Sequence, residues 1–117
     1  MTPTLTIYGI KACDTMKKAR AWLTEAGIAY AFHDYKVAGI DTATLEDWVG
    51  RVGADKLVNR AGTTFRKLDA AETADLTPAR AIALMGAHPS LIKRPVLVGE
   101  GIFLVGFKPE AYAAAFG

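Results

Sequence analysis

The fold is decided by the stretch YGIKACDTMKKA, residues 8–19. A short apolar run, Leu5 to Tyr8, leads into it and is typical of a buried strand. After Gly9 the apolar residues recur at the spacing of one helix face, which comprises Met16, Ala19, Leu23 and Ala26. The stretch therefore predicts a strand, a glycine-containing turn and a helix in direct succession, and Gly27 is a suitable residue to end that helix.

Cys13 falls in this turn, at or just before the first helical residue. The N–H groups and the dipole of a helix N-terminus stabilise a thiolate, so the pKa of this thiol should lie below its free value of about 8.5. Lys11 and Lys17 add positive charge nearby, and Thr15 is placed to donate to the thiolate or to cap the helix. Cys13 is thus a candidate nucleophile, although a lone cysteine can also be a small buried hydrophobic residue.

The composition is that of one ordinary globular domain. The chain has 117 residues, of which 51% are hydrophobic and 22% charged, so disorder is not expected. A net charge of +2 is too small to indicate nucleic-acid binding. A single cysteine excludes an intrachain disulfide and a cysteine-based zinc cluster, and it fits a reducing compartment. Without a signal peptide or an apolar run of about 20 residues, we expect a cytoplasmic protein with no membrane segment.

Three further segments have the character of strands, and they are residues 30–35, 96–98 and 102–105. The first follows the opening helix closely, which makes a right-handed parallel βαβ unit the default arrangement. The other two flank the tight turn at residues 99–101 and predict a hairpin. With a last helix at 109–115, the order is β-α-β, a helical insertion at about 41–92, and β-β-α.

The insertion contains two clear helix starts. Asp41-Thr42 begins a helix that Gly53 ends, and residues 54–58 predict a short helical turn. Thr77 is a good N-cap before Pro78, and Gly86 is interpreted as the end of that helix. The polar and basic residues 59–67 are interpreted as a loop.

Several segments together resemble the ArsC/Spx family, most closely its YffB-like branch. They are YGIKACDTMKKAR at 8–20, FHDY at 32–35, GTTFRKL at 62–68, HPSLIKRP at 88–95 and GF at 106–107. The resemblance spans nearly the whole chain. It implies an α/β fold of the thioredoxin type, with a four-stranded mixed sheet and a helical insertion in a single domain, residues 1–117.

The resemblance also implies a function, that of a glutathione-dependent thiol or oxyanion reductase. Cys13 would be its nucleophile, and Arg94 would hold the oxyanion or stabilise the thiolate. Pro95 would be the cis-proline that faces the cysteine, while Lys11, Arg60 and Thr15 would complete the anion site. Glutathione would be a co-substrate rather than a bound cofactor, with glutaredoxin as a partner and a small oxyanion or a mixed disulfide as substrate.

A basic surface would suit the carboxylates of glutathione. Its residues are Lys11, Lys17, Arg60, Arg66 and Arg94. Most of these charges can equally be ordinary solvated side chains. His33 and His88 have no partners at metal-ligand spacing, so both are expected to be structural and no metal is predicted.

The sequence departs from the family pattern at four positions. Met16 stands where redox-switching Spx proteins carry a second cysteine, and Gly9 stands where the arsenate reductases carry a histidine. Gly106 aligns with their last arginine, and Ala61 replaces an arginine that now lies one place earlier, at Arg60. Each departure weakens the case for a dedicated arsenate reductase.

Two alternatives to the reductase stay open. One is an Spx-like transcriptional regulator that binds RNA polymerase without catalysis. The other is a family member whose cysteine has no physiological partner.

Overall fold

Four short strands form one mixed sheet in the order β2-β1-β3-β4. They are β1 (Thr6–Gly9), β2 (Ala31–Asp34), β3 (Val96–Gly99) and β4 (Ile102–Val105). β1 pairs in parallel with β2 and antiparallel with β3, and β3 and β4 form an antiparallel hairpin. The mixed sheet, the parallel βαβ unit and the hairpin are therefore confirmed. The computed structural model describes residues 5–11, 13–74, 76–99 and 101–116.

Helices account for most of the remaining described residues. They are α1 (Asp14–Glu25), α2 (Tyr35–Ala38), α3 (Thr42–Val52), α4 (Ala54–Leu57), α5 (Thr63–Lys67), α6 (Ala70–Thr73), α7 (Pro78–Ala87) and α8 (Pro109–Phe116), with a 3-10 turn at Pro89–Leu91. Within the described part of the chain, no helix is long and apolar enough to cross a membrane.

The chain divides into two compact units. The sheet unit, Met1–Tyr35 with Arg94–Gly117, carries the four strands, α1 and α8. The helical unit, Lys36–Lys93, carries α3 to α7 and corresponds to the predicted insertion. That the two units make one domain stays a prediction.

α1 forms because its apolar residues lie on one face. Met16, Ala19 and Leu23 are buried there against the sheet-unit core. Ala26 was predicted on the same face, but it is the exposed C-cap, since the helix ends at Glu25. Gly27 follows with φ 73°, a left-handed conformation that suits glycine and closes the helix as predicted.

The sheet-unit core fixes β1, β3 and α1 against one another. It contains Leu5, Ile7, Met16, Ala19, Leu23, Leu97 and Tyr112. The Tyr112 ring packs edge-on against Trp22 and Phe107, at centroid distances of 5.4 Å and 4.8 Å. Each fully buried large apolar side chain stabilises the fold by about 1.5–3 kcal/mol. The turn after β1 and the entry to β3 are consequently anchored to the same core.

The helical unit is held mainly by α3 and α7. Asp41 and Thr77 cap these helices by accepting from the N–H groups of Thr44 and Arg80, as predicted from their N-cap residues. The buried apolar residues of the unit are Leu45, Trp48, Leu57, Val58, Ala81, Met85, Leu91 and Ile92. Gly53 ends α3 with φ 86°, and residues 54–57 form the predicted helical turn.

Three boundary predictions were wrong. Residues 63–67, interpreted as part of a loop, form α5, which is too short for apolar periodicity to reveal. Gly86 does not end α7, because its φ is not positive and the helix continues to Ala87. Tyr35, predicted as the last residue of the second strand, begins α2 and is buried.

Candidate functional site

Cys13 is the N-cap residue of α1. Its backbone is extended, with φ −74° and ψ 130°, and its carbonyl accepts the first helical hydrogen bond from Lys17 at 3.1 Å. Its own N–H donates to the Ile10 carbonyl at 3.1 Å, which fixes the turn. The side chain is half-buried, so the thiol lies at the helix start and remains accessible. This is the position predicted from the sequence.

Arg94 reaches this thiol from the entry to β3. Tyr8 of β1 pairs with Val96 of β3, so the antiparallel register brings the residues before Val96 alongside the turn that follows β1. The Arg94 side chain forms a hydrogen bond to Cys13. The Arg94–Pro95 peptide bond is cis, and the Pro95 carbonyl accepts from the Gly106 N–H at 2.8 Å.

The pKa of the Cys13 thiol is lowered from its ordinary value. Partial burial acts the other way and raises it, but the Met16 N–H, the Arg94 side chain and the Thr15 N–H together outweigh that effect. The Cys13 side chain makes no conventional capping hydrogen bond at the start of α1. The N–H groups of Met16 and Thr15 instead act on the sulfur as nearby donors. The arrangement stabilises a thiolate.

The residues from 8 to 115 match the model of the ArsC family. The match covers nearly the whole chain and includes both Cys13 and Arg94. The chain belongs to the ArsC family.

Individual relatives point the same way. A solved structure of a protein named YffB is 62% identical, covers 97% of this chain and 100% of its own, and superimposes with a TM-score of 0.94. The solution structure of an arsenate reductase (ArsC)-related protein from Brucella melitensis is 53% identical, covers 99% and 95%, and has a TM-score of 0.77. Spx 2 of Oceanobacillus iheyensis, a global transcriptional regulator, is 28% identical over 92% of this chain and 79% of its own.

Tyr35 lies near this site, and sequence reasoning gave it no role there. Its ring is buried at 1% exposure, and it lies within electrostatic range of Arg94. Tyr8 and His33 pack around it, with ring centroids 6.3 Å and 6.1 Å away. The segment FHDY at 32–35 contributed to the resemblance, but Tyr35 was interpreted there only as strand.

Lys11 and Thr15 flank the thiol on the same unit. Lys11 is exposed in the turn that precedes Cys13. Thr15 is exposed in the first turn of α1 and contributes its backbone N–H to the lowered pKa of Cys13. Binding of an anion by either side chain stays a prediction.

Arg60 belongs to the helical unit and has partners there. Its Nη2 lies 2.9 Å from Oδ1 of Asp55, and its guanidinium lies 5.8 Å from the centre of the Phe65 ring. The Arg60 side chain is 51% exposed and that of Asp55 is 88% exposed. Lys17 and Arg66 are exposed on their own helices. The role of Arg60 in anion binding stays a prediction.

Two departures from the ArsC-family pattern fit the structure around them, one through packing and one through backbone conformation. A Cβ atom on Gly9 would overlap the thioether of Met16, which is itself fully buried. Gly106 has φ 82°, a conformation that is strained for a residue with a side chain, such as the family's arginine. Met16 thus fills both the place of a second cysteine and the space beside Gly9.

Both histidines make contacts within the protein. Among the residues that the structure describes, no three His, Cys, Asp or Glu side chains are grouped so as to hold a metal ion. The His33 ring packs 4.8 Å from that of Tyr8, and His88 caps the end of α7 through its N–H.

Proposed function

We propose that this ArsC-family protein is a glutathione-dependent thiol or oxyanion reductase with Cys13 as its nucleophile. The supporting observation is the hydrogen bond between Arg94 and a thiol at the start of α1, which lowers the pKa of Cys13. A thiolate is the nucleophilic form of cysteine, and Arg94 is placed to hold an anion beside it. Lys11, Arg60 and Thr15 are retained as additional anion-binding residues.

With a mixed disulfide of glutathione as substrate, the cycle has two exchanges. The Cys13 thiolate attacks the glutathione sulfur, so that a bond between Cys13 and glutathione forms and the substrate leaves as a thiolate. A second glutathione thiolate then attacks this adduct, which releases oxidised glutathione and regenerates the Cys13 thiolate. External glutathione is needed because the chain has no second cysteine.

With arsenate as substrate, Cys13 forms a sulfur–arsenic bond and an oxygen leaves as water. Glutathione attacks the sulfur of Cys13, and the electron pair of the sulfur–arsenic bond reduces arsenic(V) to arsenic(III). A second glutathione resolves the resulting mixed disulfide, so two thiols are oxidised for each arsenic reduced. Glutaredoxin can take the place of the second glutathione. Such a cycle requires a reducing compartment, for which we propose the cytoplasm.

The test compares the intact protein with Cys13→Ser. Turnover is followed by glutathione oxidation, with a glutathione mixed disulfide and with arsenate as separate substrates. We expect the variant to lose turnover completely, since serine at that place is not ionised at neutral pH. If the intact protein turns over neither substrate faster than the variant, the reductase proposal is wrong.

The second candidate is a regulator that binds RNA polymerase without catalysis. It is supported by the similarity to Spx 2, although Met16 replaces the second cysteine of a redox switch. Co-purification with polymerase from extracts of its own cells tests it, with Cys13→Ser as a comparison. Polymerase binding that is unchanged in this variant, together with no turnover, would favour the regulator.

A further inference from the structure

Tyr35 carries a buried hydroxyl for which the described residues provide no hydrogen-bond partner. Tyr35 is 1% exposed, so water does not reach this hydroxyl either. Leaving such a group unpaired costs about 1–3 kcal/mol. An unpaired buried donor beside an anion-binding arginine suggests that the bound anion is its acceptor.

Tyr112, elsewhere in the sheet unit, also carries a buried hydroxyl. It is 0% exposed, and its hydroxyl also has no hydrogen-bond partner among the described residues. Burial alone raises its pKa. Since no charged group is among those causes, Tyr112 serves as an internal comparison for Tyr35.

Tyr35, in contrast, lies within electrostatic range of Arg94. Burial raises the pKa of Tyr35 most, Tyr8 raises it further, and Arg94 lowers it. The resulting pKa lies well above the ordinary value of tyrosine. The hydroxyl is therefore neutral at physiological pH, and it can donate a hydrogen bond to an anion.

We propose that the Tyr35 hydroxyl donates a hydrogen bond to the oxyanion that Arg94 holds beside Cys13. This role rests on the proposed function and adds a neutral donor to the positive charge of Arg94. The hydroxyl is closed to solvent in this structure, so the proposal includes a movement of the side chains that cover it when the anion binds.

The experiment measures how inorganic phosphate protects Cys13 from alkylation. Iodoacetamide is used because it is uncharged, and chloride keeps the ionic strength constant as phosphate rises. The Tyr35→Phe variant keeps the ring and removes only the hydroxyl, and Tyr112→Phe is the matched control. Since the lost hydroxyls have no partner, both variants should unfold at the same denaturant concentration as the parent protein or at a higher one.

Loss of a hydrogen bond to a charged group costs about 1.5–3 kcal/mol, so half-protection of Tyr35→Phe should need at least about tenfold more phosphate. Tyr112→Phe should be protected like the parent protein. In the absence of phosphate, the pH midpoint of alkylation should be the same in all three, because Tyr35 is not among the groups that shift the pKa of Cys13.

Three outcomes would overturn the proposal. Equal protection of the parent and Tyr35→Phe would remove Tyr35 from the site and leave the reductase function intact. A raised pH midpoint in Tyr35→Phe would mean that Tyr35 acts through Arg94 and not on the anion. If phosphate fails to protect the parent protein, the anion site itself is absent, while turnover of the mixed disulfide still measures the thiol reductase separately.

Discussion

Arg94 of the sheet unit and Arg60 of the helical unit are both predicted from the sequence to complete the anion site, and their surroundings differ. Arg94 of the sheet unit is half-buried and hydrogen-bonds to the Cys13 side chain. Arg60 of the helical unit is half-exposed and forms an ion pair with Asp55, five residues earlier in the chain. The same family resemblance pointed to both residues, and only the structure separates them.

The difference comes from how each arginine is positioned. Arg94 precedes β3, whose register with β1 is fixed by the buried core, so its place beside Cys13 is set by long-range pairing. Arg60 lies in a turn and is oriented by a local carboxylate and the Phe65 ring. An exposed ion pair is weak, at about 0–1 kcal/mol, and a substrate anion can compete with it.

The largest effect is expected for Arg94→Gln. The variant keeps a polar side chain but removes the charge that stabilises the Cys13 thiolate. An adjacent opposite charge shifts a pKa by about 1–3 units, so we expect the pH midpoint of Cys13 alkylation to rise by about one pH unit. The alkylation rate at neutral pH should then fall about tenfold, which iodoacetamide kinetics across pH would measure.

The matched control is Arg60→Gln, which removes the same charge from the other unit. Its midpoint should equal that of the parent protein, because Arg60 is not among the groups that shift the pKa of Cys13. If both variants raise the midpoint equally, a general loss of positive charge explains the effect and Arg94 has no special role.

Glycine packing gives a second contrast between the units. Gly9→Ala places a methyl group against Met16, which is fully buried and has little freedom to move. Overpacking of this kind typically costs about 1–3 kcal/mol. We therefore expect the free energy of unfolding, measured in urea, to fall by an amount in this range.

Gly50→Ala in the helical unit is the control of opposite sign. Gly50 lies inside α3, and a Cβ there would meet nothing within 4 Å. Alanine is favoured over glycine in a helix by about 0.8–1.0 kcal/mol, so this variant should be more stable than the parent. A loss of stability in Gly50→Ala, or none in Gly9→Ala, would contradict the packing difference between the two units.

The sequence predicts the features that depend on strong local patterns. The strand, turn and helix around Cys13 follow from apolar spacing, and the hairpin follows from two apolar runs joined by a glycine turn. The pairing of β1 with β3, which brings Arg94 to Cys13, was implied by the resemblance to a known fold. These parts of the candidate site could be found without coordinates.

Other features depend on contacts that no local pattern shows. Tyr35 continues the alternation of a strand, yet it begins a helix and is buried near Arg94. Gly9 was interpreted as a turn residue and as the loss of a histidine, whereas the structure shows that the Met16 side chain fills the space next to it. The Asp55 partner of Arg60 lies outside the matched segments, so the ion pair was not predicted.

The smallest effect is expected when the ion pair of Arg60 is altered. If Arg60 is an auxiliary anion-binding residue, Arg60→Gln should weaken phosphate protection of Cys13, and Asp55→Asn should strengthen it by releasing the arginine. Because an exposed pair contributes no more than about 1 kcal/mol, each change should be no larger than about fivefold. No change in either variant would show that Arg60 takes no part in anion binding and serves only its local contacts with Asp55 and Phe65. A loss of phosphate protection in Arg60→Gln as large as that measured in Arg94→Gln would instead show that Arg60 matters as much as Arg94, and the contrast between the two arginines would be wrong.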